Sequence, residues 1–365
     1  MFHRQYCPLL SLSLPLLLIP NAWGHAGQGI DSIDVVRQVS GDNIGVETTV
    51  GYLWSENGTS YTWYCHEAVT QTGALMTPRY TQNGSGVVLA MMGDLEQSRQ
   101  TDETVYRTED GCDWDAPTGL TGHQIADVQF DPMDDQVVLA VTANEDSANI
   151  ILRSTDGGVS WSETGMEVED RVFRTVMFSR GNAASVWATA VQYETREAWI
   201  YHSTDGGITW TENDVEITSP GSLDVYVDLV AVDGEDPDEA WIVIGPYFSD
   251  QLMHTTDAGV SFTEVYALSA DIIDGAQDSD GGIWLVITGN EMLHAPVGDE
   301  FAAVESAPAA VGLEIGPEGI LVATRVDTDG SVMAVSSDGD TFEHLFPMQS
   351  LTGPPVCAAE SHSAI

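Results

Sequence analysis

Ser154-Thr155-Asp156-Gly157-Gly158-Val159-Ser160-Trp161 recurs as Ser203-Thr204-Asp205-Gly206-Gly207-Ile208-Thr209-Trp210 and as Thr255-Thr256-Asp257-Ala258-Gly259-Val260-Ser261-Phe262. Shortened copies are Thr108-Glu109-Asp110-Gly111-Cys112-Asp113-Trp114 and Ser336-Ser337-Asp338-Gly339-Asp340-Thr341-Phe342. Decayed copies run from Glu56 to Trp63 and from His294 to Phe301. The closing aromatics stand 39 to 52 residues apart. A period of that size is the length of a four-stranded propeller blade. The expected fold is therefore all-β: a single propeller of seven blades, each of four antiparallel strands, with the octet as the hairpin between strands 3 and 4.

The octet chemistry is that of a turn. Gly157-Gly158 and Gly206-Gly207 supply positive φ at the tip without a Cβ clash. The aspartate accepts bonds from nearby backbone N–H groups and from the Ser/Thr hydroxyl, which anchors the turn. On this reading Asp110, Asp156, Asp205, Asp257 and Asp338 are structural anchors rather than catalytic groups. Trp161, Trp210, Phe262 and Phe342 are expected to bury between sheets. The runs Ala240–Ile244, Ile283–Ile287 and Ile320–Ala323 read as second strands, apolar on both faces because sheets stack on both sides.

These octets resemble the Asp-box (BNR) repeat, S/T-x-D-x-G-x-T/S-W/F. The repeat occurs in sialidases, sortilin-type receptors, some glucanases, the photosystem II assembly-factor family and secreted propellers of bacteria. The resemblance spans roughly residues 30–345. It implies a propeller, and it raises the question of sialidase chemistry. The Phe-Arg-Ile-Pro motif of those enzymes is absent, and Pro78-Arg79-Tyr80 does not replace it.

Residues 1–24 have a short polar start, an apolar core from Pro8 to Ile19 and small residues near Gly24, the pattern of a secretory signal. The expected organisation is signal peptide 1–24, propeller 25–346 and irregular tail 347–365, in a secreted or periplasmic protein without a membrane span. The chain carries 57 Asp+Glu against 11 Lys+Arg, every one of the eleven an arginine, for a net charge of −46. Such a field repels nucleic acid and anionic membranes.

Candidate chemistry is sparse. His66-Glu67 opens a zinc-protease-like string, but residue 70 is Thr, so the second ligand is missing. His202, His254 and His294 fall on different blades and read as rim residues. No cofactor is expected; calcium at an acidic turn (Asp131–Asp135, Asp233–Glu239, Asp278–Gly281, Asp327–Gly330) is kept as an alternative, though none has a complete calcium loop. Of the cysteines past residue 24, Cys65 and Cys112 are expected to pair because adjacent blades bring them together; pairing of Cys65 with Cys357 is the alternative.

Antiparallel order places the octets and the acidic 1–2 turns on one face of the ring. The 2–3 turns and blade-to-blade links then share the other. That second face gathers Tyr193, Arg196, Tyr247, Phe248 and Arg325, expected as a shallow ligand-binding surface. The function expected is non-catalytic binding or scaffolding by a monomer, with an unknown protein or carbohydrate as partner. The alternatives are a sialidase-like glycoside hydrolase with a non-standard site and a protein-complex assembly factor.

Overall fold

Each β-rich repeat folds as a small antiparallel sheet. In the computed structural model, residues 32–37 are described by backbone. Residues 44–49, 51–55, 60–66, 69, 78–92, 105–144, 146–215, 226–245, 249–316, 319–325 and 331–345 are described in full, the Cys65 side chain excepted. Blade 1 holds β1 (Ser32–Arg37), β2 (Ile44–Thr48), β3 (Gly51–Ser55) and β4 (Thr62–Cys65). Blade 2 holds β5 (Arg79–Gln82), β6 (Val88–Met91) and β7 (Val105–Thr108). Blade 3 is β8 (Ile125–Phe130), β9 (Val138–Thr142), β10 (Asn149–Ser154) and β11 (Ser162–Val168). Blade 4 is β12 (Val172–Phe178), β13 (Val186–Gln192), β14 (Glu197–Ser203) and β15 (Thr211–Val215). Blade 5 is β16 (Tyr226–Val232), β17 (Ala240–Gly245), β18 (Gln251–Thr255) and β19 (Thr263–Ala267). Blade 6 is β20 (Ile272–Gln277), β21 (Ile283–Ile287), β22 (Glu291–Ala295) and β23 (Ala302–Ala303). Blade 7 is β24 (Ala310–Gly316), β25 (Gly319–Thr324), β26 (Met333–Ser336) and β27 (Glu343–His344).

Strands in every sheet pair antiparallel with their sequence neighbours, giving a nearly all-β, seven-bladed propeller. Among the described residues six sheets have four strands and blade 2 has three, with one further bridge, Arg107 with Asp115. The innermost strands β1, β5, β8, β12, β16, β20 and β24 neighbour one another around the axis. The second-strand runs are β17, β21 and most of β25, buried along both faces. Seven apolar clusters result, one at each blade-to-blade interface.

Ring closure follows from the strand order. Blades 1 and 7 are each built from consecutive strands, so among the described residues no strand is exchanged across the join. Closure rests instead on β1 lying against β24 and β25, and on Ile44, Val46 and Leu53 packing against Leu321, Ala323 and Met333.

The octets form the turns between strands 3 and 4, and a hydroxyl and a carboxylate share the anchoring of each. The buried member is the hydroxyl, not the carboxylate. Ser203, 2% exposed, accepts the Gly207 N–H at 2.9 Å and donates to Asp205 Oδ1 at 2.9 Å. Asp205 lies at the surface and collects the Ile208 and Thr209 N–H groups and the Thr209 hydroxyl, at 3.1, 2.8 and 2.6 Å. Asp156, Asp257, Asp338 and Asp110 sit in the same position, each beside a buried Ser or Thr. Hydrogen bonds to the ionised form, chiefly from the hydroxyl at the end of the turn, hold Asp156 and Asp205 down at about 2. Trp114 and Trp161 are buried, whereas Trp210, Phe262 and Phe342 are only partly covered. The Glu56–Trp63 copy lies largely outside the described residues.

Ser203→Ala is therefore expected to cost more stability than Asp205→Ala. The first change strands the buried Gly207 N–H, at about 1–3 kcal/mol. The second leaves groups that water can reach, at about 1 kcal/mol or less. Urea titration of both variants checks the order; equal or reversed losses would show that the hydroxyl is not the anchor.

Candidate binding face and central channel

The innermost strand of each blade has one edge without a partner strand, and its backbone N–H groups there need acceptors. Neighbouring blades provide them. Val128, Val176, Leu229, Gly275 and Leu313 occupy matching positions, opposite Ala140, Ala188, Ile242, Leu285 and Val322. The residues just before them are Asp127, Thr175, Asp228, Asp274 and Gly312, and Arg79 holds the same place in blade 2. Asp127 accepts the Val176 N–H at 2.9 Å, Thr175 Oγ1 the Leu229 N–H at 3.0 Å, and Asp274 the Leu313 N–H at 2.7 Å. The second oxygens of Asp127 and Asp274 take the N–H of the next residue in their own strands. The channel carboxylates thus staple one blade to the next.

These residues line a central cavity of about 330 Å³ together with Arg79, Asp228, Arg180 and Glu314. Burial pushes Asp127 and Asp274 above the usual carboxylate range, and Arg79 pulls both back. Arg180 reaches from blade 4 across the axis to blade 7, where it bonds the Glu314 carboxylate and the Ile315 carbonyl.

On the face of the 2–3 turns, Tyr193 is 47% exposed in the β13–β14 turn. Its hydroxyl is bonded by Arg174 Nη1 at 3.0 Å. Arg174 is gripped through Nε and Nη2 by Asp228 at 2.7 and 2.8 Å, and lies 5.5 Å from the Tyr226 ring. Tyr226 in turn donates to Asp250, which also accepts the Ile272 N–H at 2.6 Å. Burial pushes Asp250 up to about 6. An exposed aromatic is thereby fixed to a charged chain that ends in the channel wall.

Arg196 shares the Tyr193 turn, with φ at +63°, and its exposed side chain has no ion-pair partner among the described residues. Arg325 is exposed at the end of β25 on blade 7, three blades around the ring. The structure brings Tyr193 and Arg196 together and leaves Arg325 apart from them. Tyr247 and Phe248 lie outside the described residues.

On the opposite face the acidic turns use their own carboxylates. Asp131 caps the Met133 and Asp134 N–H groups, Asp233 those of Glu235 and Asp236, and Asp278 those of Asp280 and Gly282. Residues 327–330 are outside the description. The histidines are not free rim residues. His202, His254 and His294 stack on Trp187, Trp241 and Trp284, with ring centroids 4.2, 4.5 and 3.9 Å apart, as directly paired residues of strands 2 and 3. Two arginines at the matching position of blades 2 and 3 serve another purpose. Arg107 and Arg153 donate to the Gly157 and Gly206 carbonyls of the next blade's octet at 2.8 and 3.2 Å, and Asn213 does the same to Ala258 at 3.0 Å. The signal for both patterns was the common offset of these residues from the octets. Cys112 is buried and is not a free thiol. The Cys65 side chain, which would identify its partner, lies outside the description.

The fold and this geometry define a single seven-bladed propeller with a polar channel. No protein-family profile and no curated protein matches the sequence. Among solved structures, the chain resembles a GH74 xyloglucanase from Xanthomonas campestris (TM-score 0.59, 14% identity, 87% of this chain and 54% of that one). It resembles a puromycin-hydrolysing peptidase of Mycobacterium tuberculosis to the same degree (0.59, 13% identity, 88% and 53%). It also resembles YCF48 from Cyanidioschyzon merolae (0.52, 14% identity, 80% and 92%). The chain spans about half the length of the first two. At these identities the likeness shows the propeller fold alone.

Proposed function

We propose that the chain is a secreted or periplasmic, non-catalytic propeller of the Asp-box group that binds a protein or carbohydrate segment. Its binding surface is the face of the 2–3 turns, centred on Tyr193. One observation carries the reading: Tyr193 is an exposed aromatic held in place by Arg174 and Asp228, in the same turn as the exposed Arg196. A pre-fixed aromatic loses little freedom on binding, and its ring and hydroxyl suit peptide and sugar alike. Tyr247 and Phe248, which lie between β17 and β18 in the sequence, extend this surface in the proposal. Cys65 and Cys112 form its disulfide.

The glycoside-hydrolase alternative draws less support from the site. Glycosidases need a carboxyl pair facing the scissile bond, whereas both oxygens of Asp127 and of Asp274 are engaged by backbone N–H groups. Screening the full chain on glycan and peptide arrays tests the proposal. Spots retained by the parent protein should be lost in Tyr193→Ala, and in Tyr247→Ala/Phe248→Ala, at unchanged melting temperature. Retention by both variants removes this face as the site, and turnover of an arrayed glycan removes the non-catalytic reading.

A further inference from the structure

The other face carries a second pattern. Eight large apolar side chains are exposed among the described residues, and five of them lie at the octet end of the ring. Val159, Ile208 and Val260 hold the same position in three successive octets, 47, 53 and 69% exposed. Val297, 71% exposed, stands in the corresponding turn of blade 6, and Met133, 65% exposed, in the 1–2 turn of blade 3. Surface aliphatics scattered singly need no explanation. Three at one octet position in successive blades, with a fourth in the same turn of the next blade, are not scattered.

Their surroundings are acidic. Asp205, Asp257, Glu235, Asp236, Asp238 and Asp280 are exposed at the same end. The described arginines there are engaged: Arg107 with Glu109 and the Gly157 carbonyl, Arg153 with the Gly206 carbonyl, Arg180 with Glu314. The octet turns of blades 3, 4 and 5, which carry Val159, Ile208 and Val260, are held internally by their own bonds and are also bonded from the preceding blade. The surface is therefore preformed, negative and studded with apolar points. Its complement must be positive and apolar by turns.

We infer that the octet face of blades 3 to 6 is a docking surface for a basic amphipathic segment of another protein. Charge brings the segment in, and the octet aliphatics select those with apolar residues between the cations. This site is separate from the Tyr193 face and does not depend on it.

The test uses the full chain with two synthetic peptides of equal charge, one of Lys and Leu and one of Lys and Ser, at physiological salt. The parent protein should bind the Lys/Leu peptide at least tenfold more tightly. Val159→Ser/Ile208→Ser/Val260→Ser/Val297→Ser should bind both alike, with its melting temperature kept. Tyr193→Ala should behave as the parent, which separates this site from the one proposed above. A parent that does not distinguish the peptides, or a quadruple variant that still does, overturns the inference. So does flotation of the parent protein with neutral phosphatidylcholine vesicles that the quadruple variant has lost, since the aliphatics would then serve a lipid surface.

Discussion

Lowering the pH from 8 to about 5 is expected to raise the melting temperature of this protein. Glu47 is 2% exposed; among the described residues its Oε1 has no hydrogen-bond partner, and the carboxyl draws on the Tyr80 N–H. Burial pushes it up to about 7, against the opposing pull of Arg79. Burial likewise raises Asp250 to about 6 and lifts Asp127 and Asp274. A carboxyl whose pKa is higher folded than unfolded binds its proton more tightly in the native state. Its unfavourable contribution is absent below the unfolded pKa and grows as pH rises towards the folded value. For Glu47 the full effect is about 3 kcal/mol. Self-repulsion within a chain of net charge −46 acts in the same direction.

The octet carboxylates have the opposite sign. Asp156 and Asp205, held at about 2, contribute stability that is present above the unfolded pKa and lost as pH falls from about 4 through 2. A maximum between about pH 4 and 5 follows, and melting scans from pH 2 to 8 measure it. Glu47→Gln should flatten the alkaline limb. A melting temperature that climbs between pH 5 and 8 would contradict the buried-carboxyl account.

Trp187→Ala is expected to be the most destabilising single change named here, by about 3–5 kcal/mol. Trp187 is fully buried in the apolar cluster between blades 4 and 5. Its ring stacks on His202, and its Nε1 donates to Ser185 Oγ at 3.2 Å. Gly259 of the blade 5 octet sits so close that an added Cβ would lie 3.3 Å from the indole and 2.6 Å from Ile200. Truncation opens a cavity where the octet of the next blade is seated, and it unpairs a buried hydroxyl–indole bond. The melting temperature should fall by on the order of 10 °C. Trp187→Phe keeps most of the volume and should recover more than half the loss. A loss below about 1 kcal/mol in the alanine variant would mean that the blade 4–5 interface does not depend on this side chain.

The blade count, the second strands and the octet turns were legible without coordinates. Each is encoded within a few consecutive residues: a glycine pair at a turn, an apolar run, a closing aromatic, repeated at one period. The placing of Tyr193 and Arg196 in one turn was legible for the same reason. The tie of Tyr193 through Arg174 to Asp228, the Asp127 and Asp274 staples, and the arginine bonds to Gly157 and Gly206 were not. Most of these contacts join residues about 50 positions apart, on adjacent blades, and several end on a backbone N–H or carbonyl. A backbone group carries no residue type, so no motif announces it. The local repeat by itself determined that blades form and how many. Only their stacking decided which polar side chains staple the ring and which aromatic is left fixed and exposed. That choice depends on the edge groups that a neighbouring blade presents.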